Sequence, residues 1–272
     1  MTLQPLNVRT IAFTCLFSGW LSIAVGQQFK LDSQVYVEGQ PEPIANSLTL
    51  FDDGFVYDIS LDPNDSTMIV EAVVYDSHAK SFDLIDMAQK RRVRIEQFEL
   101  VRMVENLRQS GMKEPHLKEL VDPQMVKDVD LASNEVSLHN AIIRYTAKCF
   151  KPDDSSILTT YYEFLDQCTR LSASDPRRLP PFARLELNQT LKQYSLLPQE
   201  ISLKVSGGDF YDGDISLQSK HTLIMSLSDQ DRSRIQHLKK AWVEYEKVTL
   251  AKYRNIERTA STDSISSEQS IR

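Results

Sequence analysis

The amino-acid sequence predicts an α+β protein, a curved antiparallel β-sheet of about nine strands packed by about five helices. Three observations carry that expectation. Apolar residues recur with period two from Gln34 to Ile95, and turn residues interrupt them at short intervals. Within that stretch Asp53-Gly54 is a dipeptide suited to the positive φ angles of a tight hairpin turn, and the register it sets is self-consistent. Farther along the chain, several segments carry apolar residues at helical spacing instead.

Taken in order, the chain opens with one cation, Arg9, and no acid, followed by an apolar run from Ile11 to Val25. Ala24-Val25-Gly26 fits the small-x-small rule for signal peptidase, so residues 1–26 read as a signal peptide cleaved after Gly26, and the mature chain as exported to the periplasm or cell envelope. The alternative is a retained anchor, although the run is shorter than the roughly 20 residues that span a bilayer comfortably. That uncleaved segment is the one expected route to a membrane. Residues 27–258 are expected to form a single α+β domain.

In the meander, spanning 33–95, pairing outward from Asp53-Gly54 sets Leu50 opposite Tyr57 and Leu48 opposite Ile59. The next hairpin surrounds Asp76-Ser77-His78-Ala79-Lys80, the densest group of reactive side chains. A four-residue loop over Ser77–Lys80 sets Tyr75 opposite Phe82 and Val73 opposite Leu84, which leaves His78 and Lys80 at an exposed tip with no pocket to tune them. Ser77-x-x-Lys80 also matches the nucleophile motif of penicillin-recognising enzymes, but the S-D-N and K-T-G partners are absent. A hairpin is therefore preferred to an active site. Strand Met68–Tyr75 is apolar on both faces, with Ile69, Val73 and Tyr75 on one side and Met68, Val70, Ala72 and Val74 on the other, so helices must cover the second side.

A helix over 96–110 is expected to turn Phe98, Val101, Val104 and Leu107 inward and to stop at Gly111. Mixed strands and helices follow over 134–250. These are strand segments between Glu135 and Cys149, a helix with Leu158, Tyr161, Leu165, Cys168 and Leu171 inward, and a helix begun by Leu179-Pro180-Pro181-Phe182. Strands near 200–205 and 218–227 come next, and a last helix opens on Ser228-Asp229-Gln230-Asp231 with Ile235, Leu238, Trp242 and Tyr245 on its stripe. Residues 259–272 are too polar to pack and read as a disordered tail.

The formal charge of the chain is −7, and losing Arg9 with residues 1–26 makes it −8. That balance argues against a nucleic-acid partner. Lys90-Arg91-Arg92-Val93-Arg94, the one dense basic run, reads as a solvated strand face. Cys149 and Cys168 either pair, closing a loop of about twenty residues worth roughly 3 kcal/mol, or stay as buried thiols. Asp209, Asp212 and Asp214 beside glycines offer oxygen ligands, but the EF-hand order is missing, and an exposed turn is favoured over a metal site. The five histidines show no metal-ligand pairing, and His221, in phase with Leu223, reads as a satisfied core or rim histidine. No Walker loop, dinucleotide fingerprint or nucleophile elbow is present, so no cofactor is expected.

Tyr161-Tyr162-Glu163-Phe164-Leu165-Asp166, Thr169-Arg170-Leu171 and the segment from Leu179 through Leu197-Pro198-Gln199-Glu200-Ile201 resemble a family of exported proteins of planctomycete-type bacteria. The hairpins over 51–86 and the segment Leu227–Ile235 are similar to the same family. The resemblance implies export and a single structural unit, and it carries no function. Because members commonly have an aromatic pair where this chain has Gln167-Cys168, it also implies that Cys168 is not a family requirement. In architecture alone, a secreted meander with helix cover is similar to the lipoprotein-carrier half-barrel.

The sequence thus points to an exported, non-catalytic binding or structural protein of the cell envelope. Its expected ligand site is an apolar sheet face carrying Leu50, Tyr57, Ile59, Tyr75 and Phe82, and its expected partner is an apolar small molecule or an envelope protein. The rival is a periplasmic hydrolase whose residues meet only in three dimensions. An assembly protein would be favoured by an exposed Ile235–Tyr245 stripe.

Overall fold

The computed structural model describes residues 28–207 and 213–255; the expected signal peptide and polar tail lie outside them. Twelve strands form one open, curved sheet, and it is antiparallel everywhere except at one short edge pair. The first six strands are β1 (Gln28–Val37), β2 (Ala45–Asp52), β3 (Phe55–Leu61), β4 (Ile69–Asp76), β5 (Ser81–Asp86) and β6 (Arg91–Glu96). A helical passage follows, with α1 (Gln97–Gly111), a 3-10 turn at Pro115–Leu117 and α2 (Lys118–Val121). The chain then returns as β7 (Val126–Asp130), β8 (Glu135–His139) and β9 (Ile143–Phe150), and crosses the sheet as α3 (Ile157–Leu171) and α4 (Phe182–Gln193). It closes with β10 (Leu197–Val205), β11 (Ile215–Ile224), α5 (Asp229–Glu244), β12 (Glu246–Lys247) and α6 (Leu250–Tyr253).

Two meanders therefore run in opposite directions and are joined where β1 pairs β11, giving the order β12-β6-β5-β4-β3-β2-β1-β11-β10-β9-β8-β7. The larger core lies between the sheet and the layer formed by α1, α2, α3, α4 and α6, and takes residues from both meanders, among them Phe29, Phe51, Leu84, Ala147 and Ile201. A smaller core on the opposite face, with Leu48, Leu50, Ile59 and Ile85, is covered by Ile235, Leu238 and Ala241 of α5. In the α5 stripe Ile235 and Leu238 are buried and Trp242 and Tyr245 half-buried, so the exposed stripe that would favour an assembly role is not found.

Local chemistry accounts for these elements. Asp53 and Gly54 both have positive φ, as a type I′ turn requires, and Leu48 and Leu50 face Ile59 and Tyr57 as the turn predicts. The Ser77–Lys80 loop likewise gives Tyr75 opposite Phe82 and Val73 opposite Leu84. Ser228 and Asp231 form the expected capping box of α5, and Lys30 of β1 pins Asp231 at 3.1 Å.

The structure corrects several expectations. The register of β3 on β4 skips Val70, and this bulge turns Ile69 to the α5 side, away from Val73 and Tyr75. In α1 the inward residues are Leu100 and Met103, whereas Phe98 and Val101 are exposed, because capping by Glu96 and Glu99 sets the helix phase. The basic run is not a solvated face. Arg91 is buried and donates to Lys252 O and Tyr253 O, Arg92 stacks on Trp242, and Arg94 donates to both oxygens of buried Asp83. The stretch between the helix over 96–110 and residue 134 also holds a strand, β7, and β12 and α6 extend the chain beyond α5.

Candidate functional site

The five residues assigned to an apolar ligand face do not share one. Leu50, Tyr57 and Ile59 pack under α5, whereas Tyr75 and Phe82 pack beneath the helical layer. The two hairpins each pair as expected, but Tyr57 opposes Val74 and Tyr75 opposes Val56, so the hairpins have opposite parity. None of the five is more than 2% exposed. They are core, although Tyr57 also borders a cavity of about 360 Å³ beside Phe55, Val74, Leu238 and Trp242, and burial pushes its phenol up to about 12.

An accessible apolar space lies elsewhere on the helical-layer face, where α3 gives way to α4. The segment Ser172–Pro181 holds Pro176, Pro180 and Pro181 and forms only a 3-10 turn, so it lies over the sheet without closing upon it as a helix would. Hydrogen bonds from Arg177 to both carboxylate oxygens, each 2.8 Å, hold the Asp175 carboxyl down to about 2 and fix this segment's shape. Beneath it is a cavity of about 350 Å³ walled by Tyr145, Leu165, Leu179, Ile201, Leu203 and Leu217. A second cavity, of about 630 Å³, opens between α1, α2 and the same segment. Ser172, Arg178, Leu179 and Pro180 line both, so one thickness of chain separates the two.

The polar side chains of the first cavity's wall are Thr169, Ser172, Ser219, Arg178 and Arg184, and Ser219 leads to His221 behind the wall. His221 is tied by both ring nitrogens, Nδ1 with Ser33 Oγ at 2.8 Å and Nε2 with Ser219 Oγ at 3.0 Å, and Ser33 is its direct partner across β1 and β11. Burial pulls its pKa down to about 4. Near Cys168 of the same wall, Thr49 donates to Asp58 at 2.7 Å, and burial raises the Asp58 carboxyl. Finally, two arginines, Arg178 and Arg184, line the cavity, and no acid does. Arg184 donates through Nε to Asn188 Oδ1 at 3.0 Å, and Asn188 donates in turn to Asp166 at 3.1 Å.

A serine–histidine contact at a cavity wall is the geometry nearest to catalysis. Among the described residues no carboxylate bonds the imidazole, because serine hydroxyls occupy both nitrogens. A neutral imidazole with so low a pKa is also a weak base at neutral pH. The contact is best understood as a tie between strands, in keeping with the satisfied histidine expected from the sequence.

His78 lies against Gly54 of the neighbouring turn, and Lys80 pairs with Glu163 of α3, so the Asp76–Lys80 loop is a hairpin docked on the helical layer. Cys149 and Cys168 are free thiols, both pushed up to about 12 by burial. They do not pair. Cys149 borders Tyr161 and Tyr162, and six or seven further helical residues carry Cys168 about 10 Å along α3, beyond disulfide reach. Asp214 accepts a hydrogen bond from Gly207 N at 3.0 Å, Asp209 and Asp212 lie outside the described residues, and no cluster of three metal-ligating side chains occurs among those described. No described helix is long and apolar enough to cross a membrane.

Sequence reasoning missed the cavity because its walls come from six segments, most of them far apart in the chain. The available signal was Ser172–Pro181 itself, a proline-rich stretch with two adjacent arginines between two helices. No family model matches the chain, and no curated protein is significantly similar to it. The class defined here is therefore one of architecture, an α+β protein with an open, curved antiparallel sheet and a helical layer enclosing apolar space.

Proposed function

We propose that this protein is an exported, non-catalytic binding protein of the cell envelope that holds an apolar small molecule between its sheet and helical layer. The observation that carries the reading is the pair of adjoining cavities beneath Ser172–Pro181, the first walled by aromatic and aliphatic side chains, of a size suited to small-molecule binding. The apolar ligand expected from the sequence is thus retained, and its place moves from the β2–β5 region to the cavity on β9, β10 and β11. Support for export comes from the leading segment ending Ala24-Val25-Gly26 and from the likeness to exported planctomycete-type proteins. Among the described residues His221 is bonded by two serine hydroxyls, an arrangement that suits a tie between strands better than a general base.

Native mass spectrometry of the protein, purified without detergent from its own envelope, tests this. A co-purifying apolar molecule and a processed N-terminus at Gln27 are the expected result. A bare protein that gains no mass on incubation with fatty acids, fatty alcohols or sterols would overturn tight ligand carriage.

A further inference from the structure

The wall of the first cavity is mostly apolar, with the neutral hydroxyls of Thr169, Ser172 and Ser219, and its charged groups are Arg184 and Arg178. A guanidinium keeps its charge at every physiological pH, and holding it half-buried without a counter-ion is costly. Arg184 is in that condition: it forms no ion pair among the described residues, and it donates through Nε to the neutral amide of Asn188. Arg178 stands at the same cavity, and its nearest carboxylate, Asp175 at 3.9 Å, is already held by Arg177 at 2.8 Å. Of the other acids near this region, Asp58 faces Arg178 and accepts from Thr49, and Asp166 reaches Arg184 only through Asn188.

We infer that the ligand is amphipathic, with a hydrocarbon body in the cavity and one anionic oxygen head, and that Arg184 binds this head, with Arg178 at the mouth. This rests on the proposed binding function and adds to it the ligand's charge. The planar guanidinium suits a carboxylate or phosphate, and the apolar surroundings strengthen the charge-assisted hydrogen bonds it would donate. Asn188 keeps the side chain aimed by taking the Nε hydrogen, which leaves the terminal nitrogens for the ligand.

The test compares dodecanoate with 1-dodecanol, which shares the chain and lacks the charge, by isothermal titration of the purified protein at pH 7.5. Dodecanoate is expected to bind at least about tenfold more tightly, the order of one charge-assisted hydrogen bond. Arg184→Met should abolish that preference and leave dodecanol binding unchanged, while Arg184→Lys should restore part of it. Thermal melts verify that each variant is folded, and the Lys variant serves alone if the Met variant is not. Equal binding of acid and alcohol would overturn the inference and leave the apolar reading standing, and so would an acid preference as strong in the folded variants as in the wild type. Failure of both ligands would overturn the binding function and the inference together. Dodecyl phosphate in the same titration tells a phosphate head from a carboxylate.

Discussion

His221 shows how one side chain in this fold is held by chemistry that its own segment does not supply. It sits on β11 between two serine hydroxyls, one from β1 and one two residues away on its own strand. A neutral imidazole satisfies both contacts, donating at one nitrogen and accepting at the other. The pKa is about 4 in the fold against an ordinary 6.5, so the unfolded chain binds a proton more readily. The resulting stability is present above pH 6.5 and is lost as pH falls toward 4. Between pH 7 and pH 5 the loss from this residue comes to about 2 kcal/mol. Denaturant unfolding of the wild type and His221→Gln at both pH values checks this, with a distinctly smaller decline expected in the variant. The periodicity of β11 was enough to identify His221 as a satisfied histidine, but its serine partner on β1 is 188 residues away.

Elements in this protein take their phase from caps and contacts more than from apolar spacing. The Phe98–Leu107 stripe is genuine helix periodicity, yet α1 buries Leu100 and leaves Phe98 outside, because Glu96 and Glu99 fix where the helix starts. At its other end Gly111 is packed on α2: a Cβ built there would lie 2.5 Å from Val121 Cγ1. Alanine gains at most about 1 kcal/mol of helix propensity, whereas overpacking costs about 1–3 kcal/mol, so Gly111→Ala should destabilise by about 1 kcal/mol. Adding Val121→Ala should make the two effects non-additive, with Gly111→Ala less costly in that background, as read from denaturation midpoints of the four proteins in the cycle. Had the glycine served only as a stop signal, the cycle would be additive. The same lesson holds for β4, where the single skipped residue Val70 moves Ile69 to the other face.

Across the whole molecule, the two meanders meet along β1 and β11 and share one core beneath the helical layer. Half of the sheet, from β2 to β6, is packed on both faces, and the other half exposes a polar face with Arg144, Lys148 and Lys204. That shared core predicts a single cooperative unfolding transition for both halves, seen as coincident far-UV and near-UV circular dichroism melts with calorimetric and van't Hoff enthalpies in agreement. Two separated transitions would mean that the meanders are independent units. The sequence by itself determined what depends on neighbours in the chain: the α+β class, both hairpin registers, the capping box of α5 and the satisfied His221. Such features rest on a turn, a period or a cap within a few residues. Only the tertiary structure decided the relative parity of the two hairpins, the fate of Lys90–Arg94, the separation of Cys149 from Cys168, and the cavity with its two arginines. Those depend on the β3–β4 bulge, the rise of α3 and the drape of Ser172–Pro181 over distant strands, and burial is a property of what covers a residue, which its own segment does not encode.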